Sequence, residues 1–80
     1  MIELLYFARL RESLGSSGEQ LEPVPANVAD LLQLLKSRGE PWSEALSGKV
    51  LVAVNQEMAL PDTELQDGDE VGLFPPVTGG

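Results

Sequence analysis

The chain has 80 residues, a net charge of −8, 42% apolar residues, and neither cysteine nor histidine. This bounds it to one small domain with a modest core, and it excludes disulfides, thiol chemistry and the usual metal ligand and general base near neutral pH. A polyanion repels phosphate backbones and anionic lipid, so neither nucleic acid nor a membrane is expected as a partner. A basic docking surface on another protein suits it better.

Ile2 to Phe7 is rich in branched and aromatic residues and predicts a strand. Ala8 to Leu14 changes period: Leu10 and Leu14 stand four apart among Arg9, Arg11 and Glu12, which predicts a short amphipathic helix stopped at Gly15. After Ser16-Ser17-Gly18, Glu19 to Val24 predicts a weaker strand, cut off by Pro23 and Pro25. Asn27 is an N-cap candidate, and Asp30 stands where a capping box places its acid. Val28, Leu31, Leu32 and Leu35 recur at helical spacing, with Leu34 widening the stripe, which predicts the main helix over 28–38 with Gly39 as its stop. Pro41 to Leu46 fits another helical turn with proline first.

Val50 to Val54 is a continuous apolar run and predicts a strand buried on both faces. Met58 to Leu60 predicts a brief edge strand closed by Pro61-Asp62. Asp67-Gly68-Asp69 is a turn, and Glu70 to Phe74 is the last strand, ended by Pro75-Pro76. This order predicts an α+β domain, a mixed sheet of four to five strands with one main helix and short helical segments. With the first and last strands paired centrally in parallel, it is the β-grasp, or ubiquitin-like, fold. The domain is expected over residues 1–74, with an extended tail over 75–80.

The side chains do not assemble an enzyme. The serines lack a histidine to activate them. Asp62, Glu64, Asp67, Asp69 and Glu70 cluster near the last turn but lack the spacing of a calcium loop, so they read as a solvated acidic face and no metal is expected. No glycine-rich phosphate loop opens a helix, and no cofactor is expected. The apolar stretch Leu4 to Ala8 is too short for a signal segment or a membrane span, so the expected location is the cytoplasm.

Chemistry is left to the tail. Pro75 and Pro76 stiffen the exit from the last strand, Val77 and Thr78 continue it, and Gly79 and Gly80 carry no side chain. Such a terminus fits a narrow channel, and six extended residues reach on the order of 20 Å, although the same residues taken alone read more simply as a frayed end.

Phe7-Ala8-Arg9-Leu10-Arg11-Glu12, Val54-Asn55-Gln56, Asp67-Gly68-Asp69-Glu70-Val71 and above all Phe74-Pro75-Pro76-Val77-Thr78-Gly79-Gly80 resemble the molybdopterin synthase small-subunit family, in order and over the whole chain. The related thiamin-pathway carriers also end in Gly-Gly but lack the Phe-Pro-Pro exit. The resemblance implies the β-grasp fold and a sulfur carrier that is non-catalytic by itself. It implies that an E1-like enzyme adenylates the Gly80 carboxylate, with Gly79 beside it, and that a sulfur-donating enzyme supplies the atom that makes a thiocarboxylate. The tail then enters the large subunit, in a complex that family resemblance makes a heterotetramer, and gives sulfur to a cyclic pyranopterin precursor to build a dithiolene. By family position Phe7, Met58 and Phe74 are apolar interface residues, and Arg11 adds a charge contact. The alternatives are a carrier for thiamin or tRNA thiolation, a ubiquitin-like protein modifier, and a β-grasp module with an inert tail.

Overall fold

The computed structural model describes residues 1–75. Its elements in chain order are β1 (Ile2–Tyr6), α1 (Ala8–Leu14), β2 (Gly18–Leu21), α2 (Val28–Lys36), α3 (Trp42–Ala45), β3 (Leu51–Val54), β4 (Glu57–Met58) and β5 (Glu70–Phe74). The strands form one sheet in the order β2-β1-β5-β3-β4. β1 and β5, the first and last, lie side by side and parallel, with Leu4 opposite Val71 and Tyr6 opposite Leu73. All other pairings are antiparallel. This is the expected β-grasp arrangement, with five strands.

The period-2 alternation of the strands divides the sheet. Ile2, Leu4 and Tyr6 of β1, Val52 of β3, and Val71 and Leu73 of β5 are buried against Leu10 and Leu14 of α1, Val28, Leu31 and Leu35 of α2, and Leu46. Burying each such side chain contributes roughly 1.5–3 kcal/mol. The helices therefore cover one face. No helix among the described residues is long and apolar enough to cross a membrane.

Local signals explain the helix ends. Gly15 takes a left-handed conformation at the end of α1, φ 66°, and its N–H turns back to α1 carbonyls. The Asn27 side chain accepts the Asp30 N–H at 2.8 Å and caps α2. α2 itself ends at Lys36 rather than at residue 38, and the chain passes through Ser37 and Arg38 to Gly39 at φ +87°. Pro41 precedes α3 instead of opening it. Two strands differ from expectation. β2 spans only Gly18–Leu21, because β1, its one partner, runs out at Ile2 opposite Leu21. β3 is not buried on both faces: only Val52 is fully covered, because among the described residues no helix packs on the second side of the sheet. The edge strand is Glu57–Met58, two residues long, and does not extend to Leu60.

One polar cluster ties the helical layer together. Arg38 donates two hydrogen bonds to the Glu19 carboxylate, at 2.9 and 2.7 Å, and Glu19 also accepts the Tyr6 hydroxyl at 3.1 Å. The Arg38 guanidinium lies 4.6 Å above the Trp42 ring, whose edge meets Tyr6. α3 has no fully buried residue, but Trp42 and Ala45 pack partly buried against the core and its C-cap Leu46 is buried, and the cluster adds a hold through Trp42. Arg38 holds the Glu19 carboxyl below its usual range, while burial first, and Glu19 second, push the Tyr6 hydroxyl up.

Candidate docking face and tail exit

Of the exposed large apolar side chains, Phe7 and Met58 lie on the face of the sheet turned away from the helices, whereas Leu34 lies on α2. Leu5 stands opposite Gly72, Gly72 opposite Ala53, and Ala53 opposite Met58, so one apolar row crosses β1, β5, β3 and β4. In the next row Phe74 stands opposite Leu51. Phe7 follows β1 directly, and its N–H donates to the Leu73 carbonyl at 3.1 Å. That bond extends the β1–β5 ladder by one residue and brings Phe7 beside Phe74.

The two rings stack with centroids 4.6 Å apart and planes 4° from parallel. Gly72 lies beneath them. A Cβ at that position would stand 3.1 Å from Phe7 Cε2 and 3.2 Å from Phe74 Cε1, closer than side chains normally pack. The missing side chain lets both rings lie flat on the sheet. Phe7 remains 39% exposed and Met58 68%, and a contiguous exposed apolar surface on a small domain marks an interaction site. Leu60, two residues past Met58, is equally exposed. The opposite end of the same face is acidic, since Glu3 and Glu70 are register partners there.

Three of the four expected interface residues, Phe7, Met58 and Phe74, thus share one face, and Phe74 is the residue that precedes Pro75-Pro76 in the sequence. Arg11 is not brought to that face. It is exposed on α1, the helix that sends Leu10 and Leu14 into the core, and among the described residues it forms no ion pair. Pro75 is half-buried at one end of a groove of about 460 Å³ between α1 and α3, lined also by Arg9, Leu10, Glu44 and Ala45. Pro76, Val77, Thr78, Gly79 and Gly80 lie outside the described residues.

Residue-level reading missed Leu5, Leu51, Ala53 and Gly72. An available signal was Leu5: it breaks the alternation of β1 with an apolar residue where solvent calls for a polar one.

A family model described as the ThiS family matches residues 4–80. The chain is 43% identical to the molybdopterin synthase sulfur carrier subunit of Escherichia coli and 41% identical to that of Haemophilus influenzae, with all of each chain covered. Among solved structures it resembles a putative molybdopterin converting factor subunit 1 from Pyrococcus furiosus, with a TM-score of 0.78 and 39% identity over 95% of this chain and 97% of that one. It also resembles SAMP1 of Haloferax volcanii, with a TM-score of 0.71 and 33% identity over 99% and 98%. A chain in the complex of subunits 1 and 2 of the molybdopterin-converting factor of Helicobacter pylori shares the fold, with a TM-score of 0.69 and 22% identity over 99% and 97%. On the full-length match of the family model and of these relatives, the chain belongs to the ThiS family.

Proposed function

We propose that this chain is the sulfur carrier and small subunit of a molybdopterin synthase. The observation that carries the reading is the flat Phe7–Phe74 stack on an open apolar face, set where the sequence passes into Pro75-Pro76-Val77-Thr78-Gly79-Gly80. Such a face docks the domain while the tail, residues 75–80, reaches into the partner. The curated relatives at 41–43% identity carry the name of this subunit.

The chemistry suits a chain without catalytic side chains. An E1-like enzyme joins the Gly80 carboxylate to the α-phosphorus of ATP, and pyrophosphate leaves. A carboxylate is a poor electrophile and its acyl adenylate a good one. Sulfide-level sulfur supplied by a donor enzyme attacks the carbonyl carbon and AMP departs, leaving a thiocarboxylate, a soft nucleophile that needs no help from its carrier. In the large subunit, with two copies of each chain in a heterotetramer, the thiocarboxylate sulfur bonds to a carbon of a cyclic pyranopterin precursor, water cleaves the acyl–sulfur bond and returns the Gly80 carboxylate, and a second loaded carrier supplies the other sulfur of the dithiolene. Gly79 and Gly80 keep the end slim enough for both active sites. The carrier holds no cofactor, and its place is the cytoplasm, where ATP is available.

A second reading is a protein modifier joined to lysines through Gly80, favoured by the likeness to SAMP1, since a solved relative of that name is a small archaeal modifier protein. Reconstitution with the E1-like enzyme, ATP and a sulfur source separates the two. The carrier gives a terminus with one oxygen replaced by sulfur, trapped by alkylation. The modifier gives isopeptide-linked conjugates.

A further inference from the structure

Two segments that are far apart in the sequence, Val54-Asn55-Gln56 and Asp67 to Val71, meet in the fold. The Asn55 backbone N–H donates to the Glu70 carbonyl at 2.7 Å, and its side-chain Oδ1 accepts the Glu70 N–H at 3.0 Å. Its Nδ2 donates to Asp69 Oδ1 at 3.0 Å, and the other Asp69 oxygen accepts the Gln66 N–H at 2.8 Å. One carboxamide therefore fastens the turn between β3 and β4 to the start of β5.

The turn needs fastening. Asn55 and Gln56 form a two-residue hairpin loop with φ of 51° and 71°, the left-handed geometry that glycine normally fills. β4 is an edge strand with two ladder pairs, Ala53–Met58 and Val54–Glu57, and one further bond, from the Ala59 N–H to the Val52 carbonyl at 2.9 Å. Met58 is 68% exposed, so its own packing does little to place it. β5, by contrast, is the central strand that carries Phe74.

We propose that Asn55 and Asp69 are positioning residues for docking: they lock the β3–β4 turn to β5, so that Met58 and the Phe7–Phe74 pair present one rigid apolar surface to the large subunit. The proposal rests on the reading that this face docks. Asn55 and Asp69 act through Met58 and need not touch the partner.

The bonds allow a reciprocal test. Asn55→Asp sets a carboxylate against Asp69 and removes the Nδ2 donor. Adding Asp69→Asn restores every bond with the donor sense reversed: the new amide at 69 donates to the new carboxylate at 55 and still accepts from Gln66, and net charge equals that of the parent. We expect Asn55→Asp to weaken binding of the full chain to purified large subunit about tenfold, mainly through faster dissociation. It also shifts the Met58 methyl resonance of the free chain and weakens its cross-strand contact with Ala53. The double variant returns both readouts to within about twofold of the parent, an exchange rescue that two independent sites would not give. Unchanged affinity and an unmoved Met58 methyl in Asn55→Asp overturn the proposal. So does a double variant that melts like the parent but binds no better than Asn55→Asp. Met58→Ala separates the proposal from the docking reading. If Met58→Ala binds like the parent, the face is not the docking surface, whatever the methyl resonances report about Asn55.

Discussion

Phe7 and Phe74 come from opposite ends of the domain and stack at 4.6 Å because β1 and β5 are parallel neighbours at the centre of the sheet. The stack gives the first prediction. Phe74→Ala removes one ring and leaves the helical core intact. Binding to the large subunit should weaken by about 2 kcal/mol or more, roughly thirtyfold in Kd, as for a buried interfacial aromatic. Stability should fall by only about 1 kcal/mol, the scale of an aromatic pair. Calorimetric titration beside a melting curve checks both. Normal binding, or loss of the fold, would sink the assignment.

Gly72 gives a second prediction on the same pair. A branched side chain there meets both rings from below. Gly72→Val should unstack them and lower affinity for the large subunit at least tenfold, the scale of one lost contact of about 1.4 kcal/mol. Ring-to-ring contacts in the NMR spectrum of the free chain should vanish in parallel. A variant that keeps the stacked contacts shows that the sheet yields instead of the rings.

The hairpin turn gives a prediction on stability alone. Gln56 holds φ at 71° without being glycine. A left-handed residue with a Cβ costs roughly 1–2 kcal/mol, partly offset by the greater freedom glycine loses on folding. Gln56→Gly should therefore raise stability by roughly 0.5–1 kcal/mol in a denaturant titration, with the denaturant slope unchanged. A destabilised variant would mean that the Gln56 side chain contributes more than the strain removes.

The Tyr6–Glu19–Arg38 cluster sets a pH dependence with a definite sign. Glu19 has a lowered pKa in the fold, chiefly from the Arg38 hydrogen bonds. Its contribution is therefore present above the unfolded value of about 4.3 and is lost as pH falls through the lower folded value. Tyr6 is raised, so its contribution is complete below about pH 10 and is lost as pH rises through the folded value. Glu19→Gln should flatten both limbs of the stability–pH curve and cost about 1 kcal/mol at pH 7, since the pair is partly exposed. An unaltered acid limb would remove the cluster from the account.

The parts of this fold that the sequence displays are those with local causes. Asn27 ahead of the Val28–Leu31–Leu35 stripe, and Gly15 behind Leu14, mark helices because caps and period act within a few residues. The open apolar face is different. Leu5, Gly72, Ala53 and Met58 form one row only after four strands are set in register, and Gly72 works there through the side chain it lacks. The apolar run at Val50 to Val54 reads as doubly buried because its residues on the open face are as apolar as those on the core face. Asn55 and Asp69 are 14 residues apart and carry no local sign of their bond. Family-like motifs marked both segments, and the hydrogen bonds give a physical reason for their occurring together.

The central claim is that the Gly80 carboxylate is the reacting group. The most direct measurement is sulfur loading of the terminus, by mass spectrometry of the alkylated C-terminal peptide, for the parent and for a variant with one alanine added after Gly80. The addition moves the carboxylate by about 3.5 Å, and a misplacement of about 1 Å already costs on the order of a hundredfold in rate. The addition changes no core residue, so stability should stay within about 0.5 kcal/mol of the parent. The account predicts that the parent acquires one sulfur in place of oxygen in the presence of E1-like enzyme, ATP and sulfur source, while the extended chain folds normally and acquires none. An extended chain loaded at the parent rate would contradict it.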